Sequence, residues 1–131
     1  MKLDSNQLTG SIPSLLSNAL NLFIVDLSYN NLTDSIPSSF GNLIGLKELI
    51  LSHNNLSGSI PSTFSKLNKL RTLHVGYNRL SGTVPSFFAN LPKLKWLSLL
   101  VNHFTFDGLE ELAQHNFDTL NMQCRKKLIF T

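Results

Sequence analysis

The chain has 131 residues, of which 42% are apolar and 15% are charged, and its net charge is +3. This length suits one domain, and the mild positive charge does not provide the broad basic face that nucleic-acid binding would need. No window of about 18 consecutive apolar residues is present, and the first residues lack the apolar core of a signal peptide. We therefore expect neither membrane insertion nor a signal peptide in this chain. Cys124 is the sole cysteine, so an internal disulfide is excluded.

An asparagine returns at a constant interval along the chain, and the same phrase surrounds each copy. The five asparagines are Asn6, Asn30, Asn54, Asn78 and Asn102. The phrase is clearest as LKELILSHNNLSGSIP, which begins at Leu46, and it recurs in register from Leu22 and from Leu70. A fixed period of this kind indicates a solenoid in which each coil packs only on its neighbours. The pattern predicts about five coils of about 24 residues each.

Apolar columns appear when the coils are aligned on the asparagine. Their members are Val25, Leu49, Leu73 and Leu97 in one column, Leu27, Leu51 and Val75 in a second, and Phe40, Phe64 and Phe88 in a third. These columns predict the core. The asparagine side chain is expected to donate to and accept from backbone groups of its own bend and of the next coil, because each such group left buried and unsatisfied would cost about 1–3 kcal/mol.

The L-x-L segment of each phrase predicts a short strand whose alternate side chains point inward. Successive strands are expected about 4.8 Å apart, in a parallel sheet on the concave face. Variable positions along these strands form columns, and one column places Tyr29, His53 and Tyr77 above one another. Exposed aromatic residues are enriched at protein interfaces, so this face is the predicted binding surface. Its candidate ligand-binding residues are Tyr29, His53, Tyr77, His74, Trp96, Asp26, Glu48 and Ile50.

The phrases LTGSIP, LSGSIP and LSGTVP carry a family resemblance, which covers residues 3–104. They resemble the plant-type leucine-rich repeats of receptor-like kinases, receptor-like proteins and polygalacturonase inhibitors. The resemblance implies a right-handed α/β solenoid with a second short strand at the G-x-I-P segment, and binding of proteins or peptides outside the cell. Asp34 stands where other coils have Gly10, Gly58 and Gly82. We expect the glycines to relieve backbone crowding there, and Asp34 to disturb the second strand locally.

The repeat pattern stops after Phe104, which predicts a repeat array over 1–104 and a C-terminal cap and tail over 105–131. Asp107 is a suitable N-cap, and Leu109, Leu112 and Ala113 share a helical face, so a short capping helix is expected over 107–115. The phrase FTFDGLEELA resembles the end of the repeat array in secreted bacterial leucine-rich-repeat proteins.

The chain begins inside a repeat, so the first repeat is expected to be truncated and the chain to be part of a longer secreted or cell-surface protein. An open first strand exposes an unpaired edge, which predicts self-association.

Two catalytic or metal-binding alternatives are weak on spacing. His74 and Ser98 are expected on adjacent strands, but a hydrolytic triad also needs an orienting acid, and Asp26 is two strands away from His74. His53 and His74 lie three positions apart along the strand, too far for one zinc ion. The phosphate-binding, dinucleotide-binding and zinc-protease motifs are absent from the sequence. We therefore predict no catalysis, no cofactor and no metal.

Three interpretations of the function remain open. The first is a binding module that recognises a protein or peptide on its concave sheet. The second is a structural spacer without its own ligand. The third is carbohydrate binding through Tyr29, Tyr77 and Trp96. The sequons at Asn31 and Asn55 follow from the repeat phrase itself, and glycosylation of either is left open.

Overall fold

The computed structural model describes residues 1–105, 107, 110–114 and 118–121. Within these residues every strand is short. The strands are β1 (Thr9–Ser11), β2 (Ile24–Asp26), β3 (Asn31–Thr33), β4 (Glu48–Ile50), β5 (Thr72–His74), β6 (Ser81–Thr83), β7 (Trp96–Ser98), β8 (His103–Thr105) and β9 (Thr119–Asn121). The 3-10 helices are Ser14–Asn18, Ser38–Asn42, Ser62–Lys66 and Ser86–Asn90, and the α-helix α1 is Glu110–Gln114.

The main sheet consists of five parallel strands in the order β2, β4, β5, β7 and β9. Equivalent residues of successive coils are direct partners, as Leu49 is to Leu73 and Leu73 is to Leu97. These inward-facing leucines are buried. The parallel sheet, and the solenoid that it lines, are confirmed.

The recurring asparagines form a hydrogen-bonded ladder beside the main sheet. The Nδ2 of Asn54 donates to the carbonyl oxygen of Leu27 in the preceding coil at 2.9 Å, and to the carbonyl oxygen of Leu51 in its own coil at 3.2 Å. Its Oδ1 accepts from the backbone N–H of Leu32 at 3.0 Å. Asn30, Asn78 and Asn102 repeat this pattern. Each side chain thus joins two coils and satisfies backbone groups at its own bend, as predicted, but the second coil is the preceding one and not the next one.

The 3-10 helices form the side of the solenoid opposite the main sheet. Each begins directly after a proline, such as Pro37 with φ −61° and Pro61 with φ −60°. Proline fixes this extended entry into a helix and has no backbone N–H to leave unsatisfied. Inside the coil, Phe40, Phe64 and Phe88 are fully buried. The sequence indicated the phenylalanine column and the role of proline on the return of the chain, but not the 3-10 helices themselves.

Outer strands follow the bend and form two separate two-stranded sheets, in which β1 pairs with β3 and β6 pairs with β8. The explanation that glycines relieve crowding here is wrong. A Cβ added at Gly10 would meet no atom within 4 Å, whereas the φ angle of Gly10 is +76° and that of Gly82 is +82°. Positive φ is costly for residues with a Cβ, and this is the reason for glycine.

Asp34 adopts the same backbone conformation as those glycines, with φ +64°. In its coil the outer strand pairing reduces to a single bridge between Ser35 and Ser57. The next coil carries Gly58 at this position, and it also lies outside the strands. The interruption therefore cannot be assigned to Asp34 alone.

The segment after Phe104 continues the solenoid. The helix α1 lies within the range predicted for the cap, packs against the Ser86–Asn90 helix and buries Leu112. Its bounds are Glu110–Gln114, and Asp107 lies in a turn; because residues 108 and 109 lie outside the described residues, Asp107 as N-cap stays a prediction. Strand β9, which the sequence did not indicate, then pairs with β7. Leu109, the side chain of Ala113 and Cys124 lie outside the described residues, and the division at residue 104 stays a prediction.

At the other end of the sheet, the backbone of Lys2 forms a bridge to Asp26, and the N–H of Leu3 donates to the Asp26 carbonyl oxygen at 2.8 Å. The expected self-association through this edge stays a prediction.

Candidate binding face

Three aromatic rings are stacked at one margin of the main sheet, and we call Tyr29, His53 and Tyr77 the aromatic ladder. The centroid of the His53 ring lies 4.2 Å from that of Tyr29 and 4.2 Å from that of Tyr77, with 10° between the ring planes in both pairs. Tyr29 is 56% exposed and Tyr77 is 45% exposed. The sequence placed these three residues in one column, and the structure brings their rings into contact.

The ladder does not lie on the strands, as the sequence suggested, but at the third position beyond them. There Tyr29, His53 and Tyr77 have φ angles of 53°, 57° and 57°. Ser5 and Val101 share this left-handed conformation at the same position of their coils. Each ladder residue immediately precedes a bend asparagine, and its N–H donates to the next coil, as Tyr29 donates to the Ser52 carbonyl oxygen at 3.0 Å. The turn into the asparagine therefore aims the side chains out of the sheet.

Stacking determines which ring surfaces a ligand can reach. Both faces of the His53 ring are covered by its neighbours, so its edge is the part left for a partner. Tyr29 and Tyr77 each have one ring face that no other described aromatic ring covers. Such a row of ring edges and polar tips suits the mixed apolar and polar contacts of a protein interface. It offers few of the open ring faces that a sugar would stack on.

A second column ends the strands, where Asp26, Ile50 and His74 are partners in successive strands. The Asp26 Oδ1 accepts hydrogen bonds from the hydroxyl and the N–H of Ser28, at 2.6 and 3.1 Å. Partial burial lowers the pKa of His74, and the opposing attraction of Asp26 and Glu48 does not cancel this effect. The His74 imidazole is thus held towards its neutral form.

A third column begins the strands and contains Ile24, Glu48, Thr72 and Trp96 in register. Trp96 is exposed, whereas Glu48 is half-buried. Among the described aromatic residues, no ring contact joins Trp96 to the ladder. Five of the eight predicted residues therefore lie on the strands of the main sheet, and the other three lie at its margin, where their rings stack.

The catalytic and metal alternatives can be compared with this geometry. His74 and Ser98 are register partners, while Asp26 is separated from His74 by Ile50 and is bonded to Ser28. In the described ranges, no group of three or more His, Cys, Asp or Glu residues could hold a metal ion. Of the two sequon asparagines, Asn31 is exposed and Asn55 is half-buried.

Comparisons with known proteins place this architecture. The leucine rich repeat family profile matches residues 20–80 and 44–104. A chain of the BIR3–SERK2 complex from Arabidopsis thaliana is 39% identical, with a TM-score of 0.82, over 89% of this chain and 64% of that one. The ectodomain of the receptor kinase SOBIR1 from Arabidopsis thaliana is 33% identical, with a TM-score of 0.82, over 88% of this chain and 62% of that one.

The Arabidopsis receptor kinase HAESA, solved with the peptide hormone IDA and the co-receptor SERK1, is 29% identical, with a TM-score of 0.58. That match covers 79% of this chain and 22% of the HAESA chain. This chain thus spans less than two thirds of each of these three structures. No curated protein matches it. The resemblance of the last segment to bacterial proteins stays a prediction.

In the part of the chain that the structure describes, no helix combines the length and the apolar character needed to cross a membrane. The profile match covers more than half of the chain, and the asparagine ladder, the outer strands and the structural neighbours agree with it. This chain therefore belongs to the leucine-rich-repeat family, and its repeats are of the plant type.

Proposed function

We propose that this chain is a protein- or peptide-binding module of a secreted or cell-surface protein, which binds through its main sheet and the aromatic ladder and makes or breaks no covalent bond. The observation that carries the proposal is the stacked and exposed Tyr29–His53–Tyr77 ladder at the margin of a regular parallel sheet. The rigid coils hold the rings in place, so little conformational entropy is lost when a partner covers them.

Several structural neighbours act outside the cell or were solved with partners. SOBIR1 and BIR2 are represented by their ectodomains, HAESA by a complex with a peptide hormone, and RGFR1 by a complex with RGF2. These facts concern those proteins. They support the same class of ligand and the same side of the membrane for this chain.

The spacer alternative predicts that the ladder has no partner, and the carbohydrate alternative predicts contacts with open ring faces. The stack disfavours the second, because it covers both faces of the His53 ring and one face of each tyrosine ring. Trp96 keeps an exposed side chain but stands apart from the stack.

A random peptide library displayed on phage tests the proposal with a defined probe. Peptides selected on the wild-type chain are then measured against a Tyr29→Asn, His53→Asn, Tyr77→Asn variant. Asparagine is chosen because it tolerates the left-handed backbone of these positions. We expect binding to weaken by at least about tenfold, as interface aromatic residues carry much of a typical affinity.

The matched control replaces three exposed residues, each at the position that follows a bend asparagine: Asn31→Ala, Arg79→Ala and His103→Ala. This control is expected to bind as the wild type does. Unchanged affinity in the ladder variant would overturn the assignment of the binding face, and failure to select any peptide would favour the spacer.

A further inference from the structure

One residue stands immediately before each of the five strands of the main sheet, in the order Phe23, Lys47, Arg71, Lys95 and Asp118. The N–H groups of Lys47, Arg71 and Lys95 each donate to the carbonyl oxygen of the preceding residue in this column, at 2.8, 2.8 and 2.9 Å. Because parallel strands stand about 4.8 Å apart, the three cations span about 10 Å. Lys69 and Lys93 lie two positions before Arg71 and Lys95. We call Lys47, Lys69, Arg71, Lys93 and Lys95 the basic margin.

The four cations Lys47, Lys69, Arg71 and Lys93 have little compensating negative charge, whereas Lys95 lies beside Asp118. Lys47, Lys69, Arg71 and Lys93 are exposed. The Lys47 Nζ lies 5.2 Å from the centroid of the Phe23 ring, and within the described ranges no carboxylate forms an ion pair with Lys69, Arg71 or Lys93. Two described carboxylates lie near the basic margin: Glu48 follows in the neighbouring column, and Asp118 ends the same column beyond Lys95. Cations held one strand apart repel each other, so the surface gains free energy when an anionic partner approaches.

An exposed apolar patch continues the column at its first coils. It consists of Leu20, Phe23 and Ile44, of which Phe23 is 52% exposed and Ile44 is 67% exposed. The three residues belong to neighbouring coils: a Cβ on Gly45, the residue after Ile44, would stand 3.4 Å from the Phe23 ring and 3.7 Å from the Leu20 carbonyl oxygen. Exposed apolar side chains that adjoin one another mark interaction sites more often than scattered ones do.

We propose that the basic margin and this apolar patch together bind an acidic segment of a protein partner, with apolar side chains on Leu20, Phe23 and Ile44 and carboxylates along Lys47, Arg71 and Lys93. Charge complementarity identifies the acidic part, and the adjoining patch identifies the apolar part. A sulfated polysaccharide or a nucleic acid would use the cations but would leave Leu20 and Ile44 without a contact. This surface lies where the strands of the main sheet begin, whereas the aromatic ladder lies beyond the ends of the strands. The proposal therefore does not depend on the function proposed for the ladder.

Fluorescence anisotropy with labelled synthetic peptides tests the proposal on the whole chain. The first peptide carries two leucines followed by three glutamates; the second has serines for the leucines, and the third has glutamines for the glutamates. The first peptide is expected to bind at least about tenfold more tightly than either of the others. Its affinity should fall as the NaCl concentration rises from about 0.05 M to about 0.5 M, because salt screens exposed charges.

Two pairs of variants locate the site. Lys47→Gln with Arg71→Gln is expected to weaken the first peptide by at least about tenfold, whereas Lys2→Gln with Arg79→Gln removes equal charge elsewhere and should leave affinity unchanged. Phe23→Ser with Ile44→Ser should weaken the first peptide and leave the second unaffected, with Leu15→Ser as its control. Far-UV circular dichroism confirms that each variant is folded.

Equal losses in the two charge-removal pairs would overturn the proposal, because net charge and not the basic margin would then explain binding. Dextran sulfate or single-stranded DNA that binds as tightly as the first peptide would also overturn it, in favour of a general polyanion surface. Equal affinity for the leucine and serine peptides would remove the role of the apolar patch.

Discussion

The Nδ2 of Asn78 donates a hydrogen bond to the carbonyl oxygen of Leu51, 3.0 Å away and one coil earlier. Its Oδ1 accepts from the N–H of Leu56 at 3.0 Å, and the side chain is 8% exposed. Asn78→Ala leaves the buried N–H of Leu56 without its acceptor, while the Leu51 carbonyl oxygen keeps the Asn54 amide at 3.2 Å. We expect the free energy of unfolding to fall by about 1–3 kcal/mol in urea denaturation.

Asn6 provides the control for this prediction. It occupies the same position of the first coil but is exposed, and its amide donates only to the carbonyl oxygens of Leu3 and Asp4 in its own turn. Asn6→Ala is expected to change the free energy of unfolding by less than about 0.5 kcal/mol. Equal losses of stability in the two variants would show that burial of the asparagine side chain is not the reason for its effect on stability.

Val101 occupies the ladder position of its coil with φ +50°, and its side chain is exposed. A β-branched residue is strained in this left-handed conformation, which asparagine tolerates. Val101→Asn is therefore expected to raise the free energy of unfolding by about 1 kcal/mol. Val101→Ala, which lacks the local hydrogen bonding of asparagine, is the control. A Val101→Asn variant no more stable than the wild type would contradict the strain.

Gly41 lies against Thr63 of the next coil. A Cβ at Gly41 would stand 2.5 Å from the Thr63 Cβ and 2.6 Å from its carbonyl oxygen, so an alanine cannot fit without a backbone shift. We expect Gly41→Ala to lower the free energy of unfolding by about 1–3 kcal/mol, measured by thermal or urea denaturation.

Gly45→Ala is the matched control, because its nearest neighbour is the Phe23 ring at 3.4 Å, which can move. It is expected to change stability by less than about 0.5 kcal/mol. A similar decrease in the free energy of unfolding for the two alanine variants would mean that local backbone propensity, and not the close approach of two coils at Gly41, explains the destabilisation.

His74 gives the fold a pH dependence of known sign. Burial lowers its pKa below the ordinary value of 6.5, so the unfolded chain takes up a proton at His74 before the folded chain does. Its contribution to stability is therefore complete above about pH 6.5 and is lost as the pH falls from there towards the folded-state pKa.

His74→Gln should reduce the loss of stability between about pH 7.5 and about pH 5.5, measured by urea unfolding at both values, because glutamine does not titrate in this range. Identical pH profiles for the wild type and the variant would show that protonation of His74 does not contribute to the pH dependence of the free energy of unfolding.

The sequence predicted most of the coil, because its period converts directly into geometry. Leu49, Leu73 and Leu97 stack as direct partners because equal spacing and inward alternation require it. Strand β9 escaped this reasoning because Leu120, the partner of Leu97, falls one position short of a full period and no phrase of the repeat surrounds it. A single apolar residue off the period cannot be distinguished from a loop residue.

The candidate site was less predictable, because it depends on backbone angles. Alignment of the coils on the asparagine placed Tyr29, His53 and Tyr77 in one column. Their left-handed conformation and parallel rings, however, follow from the turn into the asparagine. The same limit explains the error about Gly10, since sequence spacing cannot distinguish a glycine needed for space from one needed for its φ angle. Trp96 was grouped with the ladder because column membership does not report distance across the sheet.

The sequence separation between paired residues differs between the main sheet and the outer sheets. Main-sheet partners such as Val25 and Leu49 are separated by one full period, whereas outer-sheet partners such as Gly10 and Leu32 fall two positions short of it. A shift of two positions corresponds to about 6.6 Å along a strand. Equivalent residues of successive coils are in register in the main sheet but are displaced along the strand in the outer sheets. Each coil must therefore be rotated relative to the previous one. A straight, stiff partner would thus diverge from the winding surface after a few coils, whereas a partner that bends with it could contact every coil.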